Sequence, residues 1–231
     1  MTEAMPLVAL VGNPNAGKSA LFNALTGARQ KIANYPGVTV ERKSGRIALS
    51  DGRPVELVDL PGAYSLSPDS LDEAVTRDVV LGKLEGHRRP DALVIVVDAG
   101  NLDNHLRFTL ELIALGLPVV VALNMVDLAT RDGLELDPEK LSAKLGVPVV
   151  PTVAVRKRGL DVLIEALEPQ LRVKPTAALP LKTAKSSPPK RIELQNRLSS
   201  RKPRRGNGRG RSTRFYSTRS PGRSFSLPCY F

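Results

Sequence analysis

The chain predicts an α/β protein: a mostly parallel six-stranded sheet with helices on both faces, followed by a basic extension that lacks a core. Three observations carry this expectation. Short apolar runs alternate with helix-length amphipathic stretches as far as residue 171, the order produced by strands joined through crossover helices. Residues 93–97 and 119–123 are apolar at every position, as in parallel strands covered on both faces. The first apolar run leads directly into Gly12-Asn13-Pro14-Asn15-Ala16-Gly17-Lys18-Ser19, a glycine-rich turn that opens a helix.

Residues 6–12 read as a buried strand, and 17–27 as a helix with Leu21, Phe22 and Leu25 on one face. Residues 28–38 show no period and are expected to form a loop. A hairpin is predicted from 39–49 and 55–59 around Ser50, Asp51, Gly52 and Arg53. Pro61 and Gly62 break the chain, a loop follows, and 71–84 is a helix. Residues 93–97 are a strand, 102–115 a helix ended by Gly116, and 119–123 a strand. Asp137 and Pro138 open a helix to residue 145, as N-cap and first position. The last strand spans 147–153 and the last helix 160–171.

Composition narrows the class. Cys229 stands alone, which excludes an internal disulfide and fits a reducing compartment. The N-terminus has no positive leader or long apolar core, so no signal peptide is expected. The longest apolar run, 112–123, contains Gly116 and Pro118 and is too short for a bilayer, which takes about 20 residues. The chain as given is expected to be soluble. Its net charge of +11 is unevenly placed. Residues 1–171 hold 18 Lys/Arg against 22 Asp/Glu, a net of −4, whereas 172–231 hold 16 Lys/Arg against the single acid Glu193, a net of +15. The basicity therefore belongs to the extension.

The chemistry is expected at the strand ends, where open α/β sheets bind ligands. The 12–19 turn aims backbone N–H groups and a helix N-terminus at phosphates, with Lys18 on the outer phosphates and the Ser19 hydroxyl on Mg²⁺. Asp59-Leu60-Pro61-Gly62 follows a strand; its carboxylate would hold the metal through water and the Gly62 N–H would meet the terminal phosphate. Thr39, in the preceding loop, would complete the metal shell only when that phosphate is present. Asn124-Met125-Val126-Asp127 follows the fifth strand. Asp127 is suited to accept hydrogen bonds from the N1–H and 2-amino group of guanine, a pair that adenine lacks. Asn124 would tie this loop to the phosphate loop. After the sixth strand comes Val153-Ala154-Val155, whose Ala154 N–H would contact the guanine oxygen. Any one of these motifs alone is an ordinary turn or strand-end loop; all five in this order point to a GTPase.

The runs at 12–19, 34–41 (Asn34, Tyr35, Pro36, Gly37, Val38, Thr39, Val40, Glu41), 59–66 and 124–127 resemble the G domain of the bacterial ferrous iron transport protein B (FeoB) family. The Met125 position is a specific part of the likeness: most GTPases carry Lys there, and a thioether stem covers a base equally well. The resemblance runs from about residue 5 to 171 and implies a Ras-like P-loop GTPase. By that resemblance, residues 37–41, 59–62, 124–127 and 153–155 join the 12–19 loop in holding GTP or GDP. Ser19, Thr39 and Asp59 would hold Mg²⁺, Asn15 would help hold an activating K⁺, and Lys18, Thr39 and Asn15 would carry catalysis. Ala63 stands where Ras-like enzymes place a water-positioning Gln, so slow hydrolysis is expected. The resemblance further implies coupling to Fe(II) uptake at the cytoplasmic face of the bacterial inner membrane, through a permease region this chain does not contain.

Residues 172–231 depart from the family. Their Arg/Gly/Ser/Pro-rich composition is that of a disordered segment. Two readings stand: an arm that binds RNA or an anionic surface, which suits a soluble GTPase of ribosome assembly, or the product of a frameshift or truncation. Other residues read as structural. His87 and His105 lack metal-ligand spacing and are expected in surface or capping roles. Arg29, Lys31 and Arg42 are expected as solvated loop charges rather than an arginine finger. Glu111, Asp69, Asp72 and Glu73 are expected as helix-surface or helix N-terminal charges.

Overall fold

The structure, a computed structural model, describes residues 5–27, 30–35 and 38–172. The basic extension expected over 172–231 therefore lies outside the described residues, apart from Arg172. Seven strands form one sheet in the order β2-β3-β4-β1-β5-β6-β7. They are β1 (Leu7–Gly12), β2 (Gln30–Asn34), β3 (Glu41–Ala48), β4 (Pro54–Asp59), β5 (Ala92–Asp98), β6 (Val119–Asn124) and β7 (Val149–Pro151). β1 pairs parallel with β4 and β5, as do β5 with β6 and β6 with β7. The β2–β3 and β3–β4 pairs are antiparallel.

The helices are α1 (Lys18–Thr26), α2 (Leu71–Leu81), α3 (Leu102–Ile113), α4 (Val126–Arg131), α5 (Pro138–Leu145) and α6 (Leu160–Arg172). One face of the sheet buries Ala9, Val11, Leu93, Ile95 and Val121 against Val75, Val79 and Val80 of α2 and Phe108 and Leu112 of α3. The other buries Val8, Leu10, Val94 and Val120 against Leu21 and Phe22 of α1 and Leu163 and Leu167 of α6. Neighbouring residues of β1 and β5 thus serve opposite cores, which is why these strands carry no alternation. Each such large side chain, fully buried, contributes about 1.5–3 kcal/mol. The caps follow from local chemistry: Asp137 accepts from the Lys140 N–H at 2.9 Å with Pro138 behind it, and Ser70 accepts from the Glu73 N–H at 3.2 Å.

Two expectations needed correction, and one short helix was not foreseen. The sheet has seven strands, not six, because 28–38 is not all loop: Gln30–Asn34 pairs with β3. An outer strand with both faces open, four of its five residues exposed, has no apolar pattern to betray it. The last strand is three residues rather than seven: after Pro151 the chain leaves the sheet, and Val153 pairs with Arg158 of its own loop instead. α4, only six residues long, was too short to show a helical period.

Candidate functional site

Gly12 closes β1 where a Cβ would lie 2.3 Å from the Val96 carbonyl oxygen of β5. No other residue fits between those strands. Asn15 (φ 63) and Gly17 (φ 85) then take left-handed backbone and curl the chain into α1. α1 has no side-chain cap and no acid in its first turn, so the N–H groups at its start remain directed at this loop. Lys18 is 8% exposed and donates to the Asn13 carbonyl at 3.1 Å. Burial lowers its pKa, against the opposing pull of Asp59.

Asp59 ends β4. Its Oδ2 accepts from the Ser19 hydroxyl at 3.0 Å, while the buried Oδ1 has no partner. Burial pushes its pKa above the usual carboxylate range, with Ser19, then Lys18 and Lys43, acting the other way. A hydroxyl and a carboxylate with an unspent buried oxygen are donors suited to a hard divalent cation such as Mg²⁺. Among the described residues no cluster of three or more His, Cys, Asp or Glu side chains could hold a metal by itself.

The segment after Asp59 is laid against this loop. A Cβ on Gly62 would meet Pro14 at 2.9 Å, and the Ala63 N–H donates to the Gly12 carbonyl at 3.3 Å. Thr76 of α2, fully buried, donates to the Pro61 carbonyl at 2.8 Å. Further on, the Tyr64 and Asp69 N–H groups donate to the two oxygens of Glu73 at 3.1 and 2.8 Å. These hold the Glu73 carboxyl below its ordinary pKa. The Leu66 N–H donates to Glu111 at 2.9 Å. Glu73 is a helix N-terminal charge, as expected, in the first turn of α2, and both it and Glu111 also anchor the loop after Gly62. The Ser70-x-x-Glu73 spacing was the signal available in the sequence.

Thr39 is exposed in the turn closed by the Tyr35 N–H on the Val40 carbonyl (2.9 Å), and its hydroxyl makes no hydrogen bond to Ser19 or Asp59. Val38 packs partly against the core, Val40 is buried, and Glu41 begins β3 beside Lys43 (3.7 Å). Gly37 and Arg29 lie outside the described residues. Tyr35, 1% exposed, packs on the His87 ring at 5.3 Å; burial pushes its pKa up to about 12. Arg42 is no solvated loop charge: it pairs with Glu56 across the sheet at 2.9 Å. Lys31 is exposed on β2.

At the end of β6, Asn124, 2% exposed, joins three segments. Its Nδ2 donates to the Ala16 carbonyl at 3.1 Å, and its Oδ1 accepts from the Ala154 N–H at 3.1 Å and the Thr152 hydroxyl at 3.3 Å. The Ala154 N–H, aimed at a guanine oxygen in the sequence reading, is thus directed at Asn124 in this structure. Met125 takes left-handed backbone (φ 61) and places its Cε over Gly17. Asp127 stands in the first turn of α4 with its Oδ2 3.4 Å from Arg156 Nη1. Val153 is buried and Val155 is 81% exposed. His105 is not a surface group: at 5% exposure its Nδ1 accepts from the Asp98 N–H at 3.1 Å, and burial lowers its pKa. It is held neutral beside the β5 end that registers with Asn124. Sequence reading missed Arg156, which carries no motif.

One asparagine thus draws a phosphate-directed loop and a second loop, with a carboxylate at its mouth, to the same edge of a mostly parallel sheet. That is a G domain, the Ras-like P-loop fold that binds GTP. Residues 7–167 match the family profile described as ferrous iron transport protein B. The chain belongs to that family. It is 48% identical over 165 residues to the Fe(2+) transporter FeoB of Salmonella typhimurium, covering 70% of this chain and 21% of the relative. It is 47% identical over the same length to that of Escherichia coli K12. The chain therefore spans about a fifth of the curated relatives it matches. Among solved structures, the cytosolic domain of L. pneumophila FeoB matches with a TM-score of 0.67 at 42% identity, covering 75% of this chain and 71% of that one. The T. maritima cytosolic domain in its GMPPNP form matches with a TM-score of 0.69 at 38% identity (76% and 67%). The T. maritima G domain alone is covered to 99%, with a TM-score of 0.65 at 40% identity and 72% of this chain. Among the described residues no helix is long and apolar enough to cross a membrane.

Proposed function

We propose that this chain binds GTP and GDP and hydrolyses GTP slowly, in a Mg²⁺-dependent and K⁺-stimulated reaction. We place it at the cytoplasmic face of a bacterial inner membrane, joined to a permease region in Fe(II) uptake. The observation that supports the reading is the Asn124 bridge, which joins the loop carrying Lys18 to the loop after β7 beside the strand end that leads to Asp127. Support comes from a GDP-bound S. thermophilus NFeoB mutant, 43% identical over 74% of this chain, and from relatives named as Fe(2+) transporters.

The uncapped start of α1 and Lys18 meet the phosphates, and Gly62 offers its N–H to the terminal one. Ser19 and Asp59 are the residues that would hold Mg²⁺, which supplies charge neutralisation between the phosphates. Thr39 is exposed, so it joins them only if its turn closes over the triphosphate. Asn15, exposed on left-handed backbone, offers its amide oxygen toward K⁺. Ala63 has no group with which to position water, and slow turnover follows. The RNA-directed reading rests on the extension, outside the described residues.

Asp127→Asn tests the base reading: affinity is expected to pass from guanine to xanthine nucleotides by about one to two orders of magnitude. Unchanged selectivity in mant-nucleotide titrations would remove Asp127 from that role. For the potassium part, GTP turnover is expected to be several-fold faster in KCl than in NaCl. Equal rates would leave Asn15 a loop residue only.

A further inference from the structure

Arg156 lies in none of the nucleotide-binding motifs, yet it faces Asp127. It is carried at the end of the 3₁₀ turn Ala154–Arg156, in a loop closed by the Val153 N–H on the Arg158 carbonyl (3.0 Å) and the reverse bond (3.2 Å). The loop is tied at both ends. Ala154 is bonded to Asn124, and Gly159 lies so close to the Pro151 carbonyl that a Cβ would come within 2.2 Å of it. With Lys157 held at φ 52, the backbone of the turn is set, and it keeps the Arg156 side chain within reach of Asp127. Its next neighbours, Lys157 and Arg158, are also cations, which drives the guanidinium toward a carboxylate.

The two partners are unequally exposed: the Asp127 side chain is 19% exposed and that of Arg156 is 63%. A partly buried carboxylate stripped of donors is costly, whereas an exposed arginine leaves such a pair easily. The contact is also single, from Nη1 to Oδ2 at 3.4 Å, not the two-bond fork that locks an Arg–carboxylate pair.

We infer that Arg156 is a displaceable stand-in for guanine on Asp127: it occupies the base-reading carboxylate in the free protein and returns to it as the base lifts away, which hastens nucleotide release. Arg156 is a positioning residue for exchange and touches no reacting atom. The inference rests on Asp127 reading the base, as proposed above. When guanine N–H groups leave Asp127, the carboxylate passes to Arg156 instead of standing bare, so the barrier to release is lower than the base contacts alone would set.

Stopped-flow release of mant-GDP from the whole chain tests this. Arg156→Ala is expected to slow dissociation by roughly two- to fivefold, the scale of an exposed ion pair, with association changed less. Arg156→Lys should fall between the two. Raising NaCl at fixed K⁺ should close the gap between wild type and Arg156→Ala, because the pair is screened; a merely structural loop residue would show no such closure. In the Asp127→Asn background, followed with mant-XDP because its preference is expected to pass to xanthine, Arg156→Ala should have no effect on release. Unchanged or faster release in Arg156→Ala, or an equal effect in the Asp127→Asn background, overturns the inference. If Asp127→Asn leaves guanine preference intact, the base-reading role fails and this inference fails with it; if preference shifts while Arg156→Ala does nothing, only the Arg156 role is lost.

Discussion

Asp59→Asn is expected to make the protein more stable without nucleotide while removing the Mg²⁺ dependence of nucleotide affinity. The buried Asp59 carboxylate has one oxygen on Ser19 and one on nothing. Its raised pKa is a net result that already contains the attraction of Lys18 and Lys43. Burial outweighs both, so the charge is unfavourable in the folded protein. The linkage has a definite sign. A carboxyl with a raised folded pKa contributes its stability below the usual carboxylate range and loses it as pH rises through the folded value. Above the folded value the ionised wild type bears that cost, and the isosteric amide does not. The gain should be about 0.5–2 kcal/mol, the common scale for relieving a compromise at a functional site. It should shrink as pH is lowered toward the carboxylate range. Chemical denaturation at several pH values, with EDTA present, measures it. In parallel, EDTA should weaken mant-GTP binding to wild type by at least about tenfold, as loss of charge-assisted contacts does, and should leave the variant unchanged. A variant less stable at neutral pH, or still Mg²⁺-sensitive, would show that Asp59 is a structural ion-pair partner instead.

Gly17→Ala should produce the largest loss of stability. The backbone there is left-handed, at φ 85, and a Cβ would stand 2.3 Å from Asn124 Nδ2 and 3.0 Å from Met125 Cε. That amide nitrogen donates to the Ala16 carbonyl, so the new methyl group breaks the bond joining the two loops. Backbone strain together with the lost buried hydrogen bond should cost about 2–4 kcal/mol, a fall in Tm of roughly 5–15 °C for a domain of this size. Gly116 is the comparison. It has a similar φ of 70 but open space around its Cβ, so Gly116→Ala carries only the strain, about 1–2 kcal/mol. Equal losses in the two variants, measured by thermal denaturation, would mean that the Asn124 contact absorbs the methyl group at no cost.

Much of the fold was legible because its signals are local. Strands buried on both faces must be apolar along their length, and β1, β5 and β6 are, up to the Asp98 and Asn124 that end the last two. A helix whose start is kept open for an anion shows a glycine turn and no acidic cap, and α1 does. What escaped was whatever depends on a distant partner. β2 is a strand only because β3 lies beside it; its own residues are exposed. His105, expected in a surface or capping role, is buried and accepts the Asp98 N–H inside the fold. Glu73 and Glu111 looked like helix charges, and they also hold the backbone after Gly62.

The same division holds at the site. The sequence alone supplied the residue types for the proposed chemistry: a glycine-rich turn opening a helix, a metal-suited Ser19 and Asp59, a carboxylate at Asp127, and no water-positioning group at residue 63. These are properties of residue type and spacing, and they survive in any fold that keeps the order. Only the tertiary structure decided how the parts engage. Asn124 couples loops more than a hundred residues apart, as the Ala16 contact shows. Thr39 stands apart from Ser19 and Asp59, and Arg156 rests on Asp127. The reason is physical: desolvation, steric exclusion and hydrogen-bond competition act between groups that chain order keeps distant and packing brings within a few ångströms.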